Sequence, residues 1–121
     1  MRFPTLLILS TTLASGACQL PGTVACTADA RAAISVDVRD SVTNAAVGRG
    51  SSIIARDGPY ADTVDITTLF DGPYGLAYER PGMYTVTVEQ QGYRTWSRSG
   101  VRVTKDECHV RGVSITARLQ S

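Results

Sequence analysis

The residue types that carry chemistry are sparse in this 121-residue chain, and three groups of them stand out. The only histidine, His109, directly follows Cys108. A Cys–His pair can serve as nucleophile and base or as two metal ligands. Strand alternation, however, puts consecutive side chains on opposite faces, so the two are expected apart, with His109 at the surface. No nucleophile-elbow motif accompanies the histidine. The second group is acidic: Asp57-Gly-Pro-Tyr60 recurs as Asp71-Gly-Pro-Tyr74, with Asp62 and Asp65 between. Four carboxylates in one loop region are an oxygen-rich set of the kind Ca²⁺ prefers. The same residues are ordinary turn formers, which is the stronger reading, so Asp57, Asp62, Asp65 and Asp71 are only weak metal candidates. The third group is Arg94, Trp96 and Arg98, which share one parity on a strand whose other parity carries Tyr93 and Thr95. If Tyr93 points inward, Trp96 lies outward between two guanidinium groups, with Arg102 nearby. Exposed tryptophan flanked by arginine is a contact surface for proteins or sugars. The competing reading is a tryptophan lying flat under arginine stems.

The three cysteines say where these groups work. Arg2 supplies a positive n-region, Thr5 to Leu13 a short apolar run, and Ser15-Gly16-Ala17 small residues for cleavage, the pattern of an export signal over residues 1–17. The run is shorter than the roughly 20 residues that span a bilayer. Cys18 then resembles the lipid-acceptor cysteine of bacterial lipoproteins, although Ser15 stands where that family's box usually has Leu. Gln19 after it resembles lipoproteins sorted to the outer membrane. If Cys18 is lipidated, Cys26 and Cys108 remain as a pair in an oxidising compartment; otherwise Cys18 is a free thiol or joins another chain. A Cys26–Cys108 bond would close a loop of 81 residues, 27 to 107. By loop-closure entropy it would stabilise the fold by roughly 4 to 5 kcal/mol.

The elements that must position these groups are short strands. Residues 18–30 contain Pro21 and Gly22, lack periodicity and read as a tether. Ile34, Val36 and Val38 then alternate with Ser35, Asp37 and Arg39. Further strands are expected at Ser51 to Arg56, Tyr60 to Thr67, Tyr74 to Glu79 and Met83 to Glu89. Another strand, or a bent pair around Gly100, spans Tyr93 to Thr104. A last strand runs from His109 to Leu119 with Val113, Ile115, Ala117 and Leu119 on one face. No amphipathic helix of more than two turns can be drawn after residue 30. The expectation is an all-β domain over residues 31–121, an antiparallel sandwich of about seven strands with Val36, Tyr84, Val86, Val88 and Ile115 in its core.

The segment from Pro81 to Tyr93 contains Pro81, Gly82, Tyr84, Val86, Val88, Gly92 and Tyr93 in the spacing PG-x-Y-x-V-x-V-x-x-x-G-Y. This resembles the signature of carboxypeptidase regulatory-like domains, and the stretch from Asp40 to Val47 resembles that family's turn after its first strand. The resemblance covers roughly residues 31–119 and implies a prealbumin-like (transthyretin-like) sandwich acting as an accessory module. Physically, Gly82 fits a turn needing positive φ, and Tyr93 can bury its ring while its hydroxyl finds a backbone partner. Enzymes that resemble this sandwich, hydroxyisourate hydrolases and intradiol dioxygenases, use more than one histidine.

Charge narrows the partners. Without residues 1–17, which carry one base and no acid, the twelve bases and eleven acids become eleven of each. A neutral domain has no electrostatic footprint for nucleic acid. The sequence therefore reads as a non-catalytic binding or structural module of the bacterial envelope. It needs no cofactor, reaches the membrane through a lipid anchor, and has an envelope protein or glycan as partner. The alternatives are a hydrolase using the sandwich loops and a secreted, inhibitor-like protein.

Overall fold

The computed structural model describes residues 25–121, so the export segment and Cys18 lie outside the described residues. Among the described residues there is no helix, and eight strands form two sheets. The strands are β1 (Ile34–Asp40), β2 (Ser52–Asp57), β3 (Tyr60–Asp65), β4 (Tyr74–Leu76), β5 (Gly82–Glu89), β6 (Trp96–Lys105), β7 (Val110–Arg111) and β8 (Val113–Leu119). One sheet has the order β4-β1-β8, the other β3-β2-β5-β6-β7. Their inner faces share one core, as a β-sandwich requires. Ile34, Val36 and Val38 meet Ile53, Tyr84, Val86, Val88, Ile115 and Leu119, all essentially inaccessible to water. Each such side chain contributes about 1.5–3 kcal/mol by burial. The period-2 alternation in β1, β5 and β8 is thus the force that assigns one face of each strand to the interior.

The strand ends have local causes. β2 and β3 join through Gly58-Pro59, and Gly58 takes φ 56°, the first central position of a primed hairpin turn. β4 stops at Leu76 instead of continuing to Glu79, because Ala77 and Glu79 turn left-handed (φ 52° and 56°). Their amides leave the ladder: Ala77 donates to Asp62 Oδ2 at 2.8 Å and Glu79 to the Arg31 carbonyl at 2.9 Å. The stretch expected as one last strand is divided at Gly112 between the two sheets. A Cβ there would stand 2.9 Å from the Ala32 carbonyl oxygen, so only glycine lets the chain cross so close to the start of β1.

β6 is one strand with a bulge. Between Tyr84↔Val101 and Val86↔Arg98 it holds one residue more than β5, and Gly100 absorbs the kink at φ 69°. Parity flips there: Trp96 pairs with buried Val88 before the bulge, while Val101 and Val103 face the core after it.

Gly82 corrects a sequence expectation. It is not in the positive-φ region; instead an added Cβ would lie 2.5 Å from Asp57 Oδ2 and 3.2 Å from an Arg80 guanidinium nitrogen. The glycine is there to make room for an ion pair.

Every strand pairing is antiparallel except β1 with β8, which is parallel from Ile34↔Val113 to Asp40↔Leu119. Parallel neighbours need a long crossover, here supplied by β2 to β7. The first and last strands therefore begin at one end of the sandwich and finish at the other. Seven residues at about 3.3 Å per residue separate the two ends by roughly 20 Å.

Candidate functional site

At the end where β1 and β8 begin, several side chains hold the N-terminal segment. Cys26 and Cys108 form a disulfide with a Cα–Cα distance of 5.1 Å. Parallel pairing brings them together, because residues preceding parallel neighbours meet whereas those preceding antiparallel ones do not. Beside the disulfide lies His109, which is buried (7% exposed) rather than at the surface as expected. Asp106 Oδ1 accepts the amides of Cys108 and His109 at 2.8 and 2.9 Å, making a turn that carries the imidazole under the N-terminal segment. His109 Nε2 lies 2.9 Å from Thr27 Oγ1 and Nδ1 lies 2.6 Å from Glu79 Oε1.

That Thr–His–Glu order has the outline of a hydroxyl–imidazole–carboxylate relay, but the same groups are engaged in fastening the N-terminal segment. Beside it the Asp29 carboxyl is held down at about 2, first by Thr27 and then by Arg31. Glu79 also receives the Arg31 amide at 2.9 Å and lies low in its titration range, chiefly through the His109 bond and then the Arg31 bond. The cleft over this site, about 550 Å³ and lined by Thr27, Arg31, Glu107, His109 and Arg111 among others, is the outer surface of a latch.

The same end consumes Asp57. Arg80 donates to Asp57 Oδ2 at 3.0 Å and to the Tyr84 hydroxyl at 3.1 Å, and its guanidinium carbon lies 3.8 Å from the Tyr60 ring centroid. Tyr84 in turn donates to the Arg80 carbonyl at 2.6 Å. Asp62 is spent on the Ala77 amide and Asp65 on the Ser52 hydroxyl, while Asp71 sits apart in the exposed segment before Tyr74. The four carboxylates do not converge. Among the described residues no cluster of three His, Cys, Asp or Glu side chains could hold a metal ion. Asp57, Asp62 and Asp65 each serve a different partner, at Arg80, Ala77 and Ser52.

The opposite end is different. Where β6 begins beside the finish of β8, a cleft of about 350 Å³ is lined by Arg94, Thr95, Trp96, Ser97, Arg118 and Gln120. Its floor is tied by the Arg94 amide, which donates to the Gln120 carbonyl at 2.7 Å. Asp40 organises the rest. Its Oδ1 accepts the Val42 and Thr43 amides at 2.8 and 2.9 Å, and its Oδ2 accepts the Tyr93 hydroxyl at 2.9 Å. The two amides and then the tyrosine hold the Asp40 carboxyl below its ordinary range. Tyr93 thus finds a carboxylate and not the backbone partner expected, and this bond fixes the loop that carries Arg94. In the same turn Asn44, left-handed at φ 61°, presents Oδ1 to the Arg118 guanidinium at 2.8 Å. Neither Arg94 nor Arg118 has a carboxylate partner among the described residues.

Sequence reasoning found only part of this cleft. Trp96 is half-buried on the core side of β6, and so is neither fully outward nor wholly covered. Arg98 is exposed but does not line the cleft, and the bulge at Gly100 sends Arg102 to the outer face opposite exposed Met83. Arg118 takes their place. Its exposed parity in β8 was legible, but its nearness to Trp96 depends on a contact between strands of different sheets.

No family model, curated protein or solved structure matches this chain.

Proposed function

We propose that this protein is a non-catalytic binding module of a bacterial cell envelope. It is of the carboxypeptidase regulatory-like kind, exported and held on the membrane through lipidated Cys18, with the cleft at Trp96 as its contact site. The observation that carries this reading is the separation of roles between the two ends of the sandwich. The latch fastens the N-terminal segment at one end through Cys26–Cys108 and Thr27–His109, while the unpaired Arg94 and Arg118 lie at the other end. Only the seven residues 19–25 would separate a lipid on Cys18 from Cys26, a reach of at most about 25 Å. A lipid there would hold the latch end toward the bilayer and turn the cleft away from it, toward a partner displayed above the membrane. The hydrolase alternative has less support, because the only histidine is buried and held between Thr27 and Glu79 as part of the latch.

The test is metabolic labelling with a fatty-acid analogue in wild type and Cys18→Ser, followed by membrane fractionation. Label and membrane retention confined to the wild type support the anchored module. Equal labelling of the two, or a mature N-terminus beyond Cys18, overturns the anchor.

A further inference from the structure

We infer that the cleft between Arg94, Trp96 and Arg118 binds a carboxylate-bearing saccharide, an acidic sugar whose ring lies on the indole and whose carboxylate lies between the two guanidinium groups. The inference deepens the binding-module reading by naming the ligand class of the same site.

Three features select this chemistry. First, two arginine side chains line the cleft. Arg118 is held by Asn44 Oδ1 at 2.8 Å, Arg94 sits on a backbone tied to Gln120 at 2.7 Å, and both remain exposed. Planar forks with no carboxylate of their own, in a domain of otherwise balanced charge, are suited to an incoming planar anion. Second, Trp96 is anchored by its partial burial against the core and offers only part of its indole. A rigid, half-covered aromatic face receives the apolar face of a sugar ring at little cost in side-chain entropy. Third, Thr95 and Gln120 also line the cleft and bring an exposed hydroxyl and an exposed amide, donors and acceptors matched to sugar hydroxyls. At about 350 Å³ the cleft sits at the small end of ligand sites, which span about 300–1,000 Å³.

A peptide is the other envelope ligand with a carboxylate, and it fits less well. Extended peptides bind sandwiches mainly by adding a strand to an open edge, through main-chain hydrogen bonds. The cleft instead presents two guanidinium groups beside an indole, side-chain groups suited to a charged ring.

The chain has one tryptophan, so intrinsic fluorescence reads this cleft without a label. The purified mature protein is titrated with digalacturonic acid, with the neutral disaccharide of the same linkage, and with a tripeptide bearing a free C-terminal carboxylate. The expected result is a saturable change in Trp96 emission with digalacturonic acid, weakening as salt rises and at least tenfold weaker for the other two probes. Arg94→Gln and Arg118→Gln should each weaken binding about tenfold, the loss of a charge-assisted hydrogen bond. Arg98→Gln and Arg102→Gln should leave it unchanged. Unaltered thermal melting of the arginine variants separates lost binding from lost folding. No saturable response to the acidic disaccharide, an equal response to the neutral sugar or the peptide, or equal loss in all four variants would each overturn the inference. Failure of the labelling test with binding intact would remove the membrane anchor and leave this site standing. The reverse pattern would remove the ligand and keep the anchor.

Discussion

The two ends of the sandwich put similar residues to opposite uses. At the latch end, Arg80, Arg31 and His109 each meet a carboxylate within 3.0 Å, and Glu79 is further engaged by the Arg31 and Val110 amides. At the cleft end, Asp40 is spent on its own turn and on Tyr93, leaving Arg94 and Arg118 without an acid. A paired charge contributes to the fold and little to recognition, whereas an unpaired charge held in place contributes little to the fold and is available to a ligand. Substitutions at the latch should therefore cost stability and spare binding, and those at the cleft should do the reverse.

The sharpest way to break this comparison is to open the latch. Cys26→Ser with Cys108→Ser should lower unfolding stability by about 4 kcal/mol, measured by urea denaturation of the oxidised wild type against the variant. A loss below about 1 kcal/mol would mean that the 27–107 loop is closed mainly by other contacts. Gly82→Ala comes next. The added methyl displaces Asp57 from Arg80 in a closely packed place and should cost about 1–3 kcal/mol, with cleft binding unchanged. His109→Ala should cost a similar ~1–3 kcal/mol, because it leaves Glu79 and Thr27 without their shared partner. Faster amide exchange confined to residues 25–31 would locate that loss.

Acid should separate the two ends more subtly. Glu79 and Asp29 at the latch, and Asp40 at the cleft, have carboxyls held below their ordinary values by hydrogen bonds, first from His109, Thr27 and the Thr43 amide respectively. A depressed carboxyl stabilises the fold fully above its unfolded value, near pH 4, and loses that contribution as pH falls through its folded value. Stability should therefore decline from about pH 4.5 toward pH 2. In His109→Ala the decline should be shallower, since the Glu79 part is gone and the Asp40 part remains. An unchanged slope would show that His109 does not depress Glu79. The smallest expected effect on stability is at Arg118→Gln, within about 0.5 kcal/mol, and a much larger one would make Arg118 part of the fold and not of a site.

Much of this was legible residue by residue. The alternation of Ile34, Val36 and Val38, and of Tyr84, Val86 and Val88, needs only the period of a strand to assign its buried face. The places of Cys26 and Cys108 just before the first strand and the closing segment suggested their bond. Other residues were misread for local reasons. His109 looked exposed because alternation was carried through a turn capped by Asp106, where it does not apply. Arg102 was grouped with Trp96 because one bulge residue, at Gly100, reverses every parity beyond it. Gly82 was assigned a left-handed turn, when the constraint on it is the carboxylate of Asp57, 25 residues earlier in the chain.

Strand period, turn chemistry and the all-β class were determined by the sequence alone, because each depends on neighbours a few residues apart. The parallel pairing of β1 with β8 was decided only by the tertiary structure, since register between strands 79 residues apart (Ile34 to Val113) leaves no mark on local pattern. That pairing makes the two cysteines meet, puts His109 beneath the N-terminal segment, and brings Arg118 beside Trp96 at the far end. The residues of both sites were in the sequence, but which of them face one another depends on a contact that closes only when the whole sandwich does.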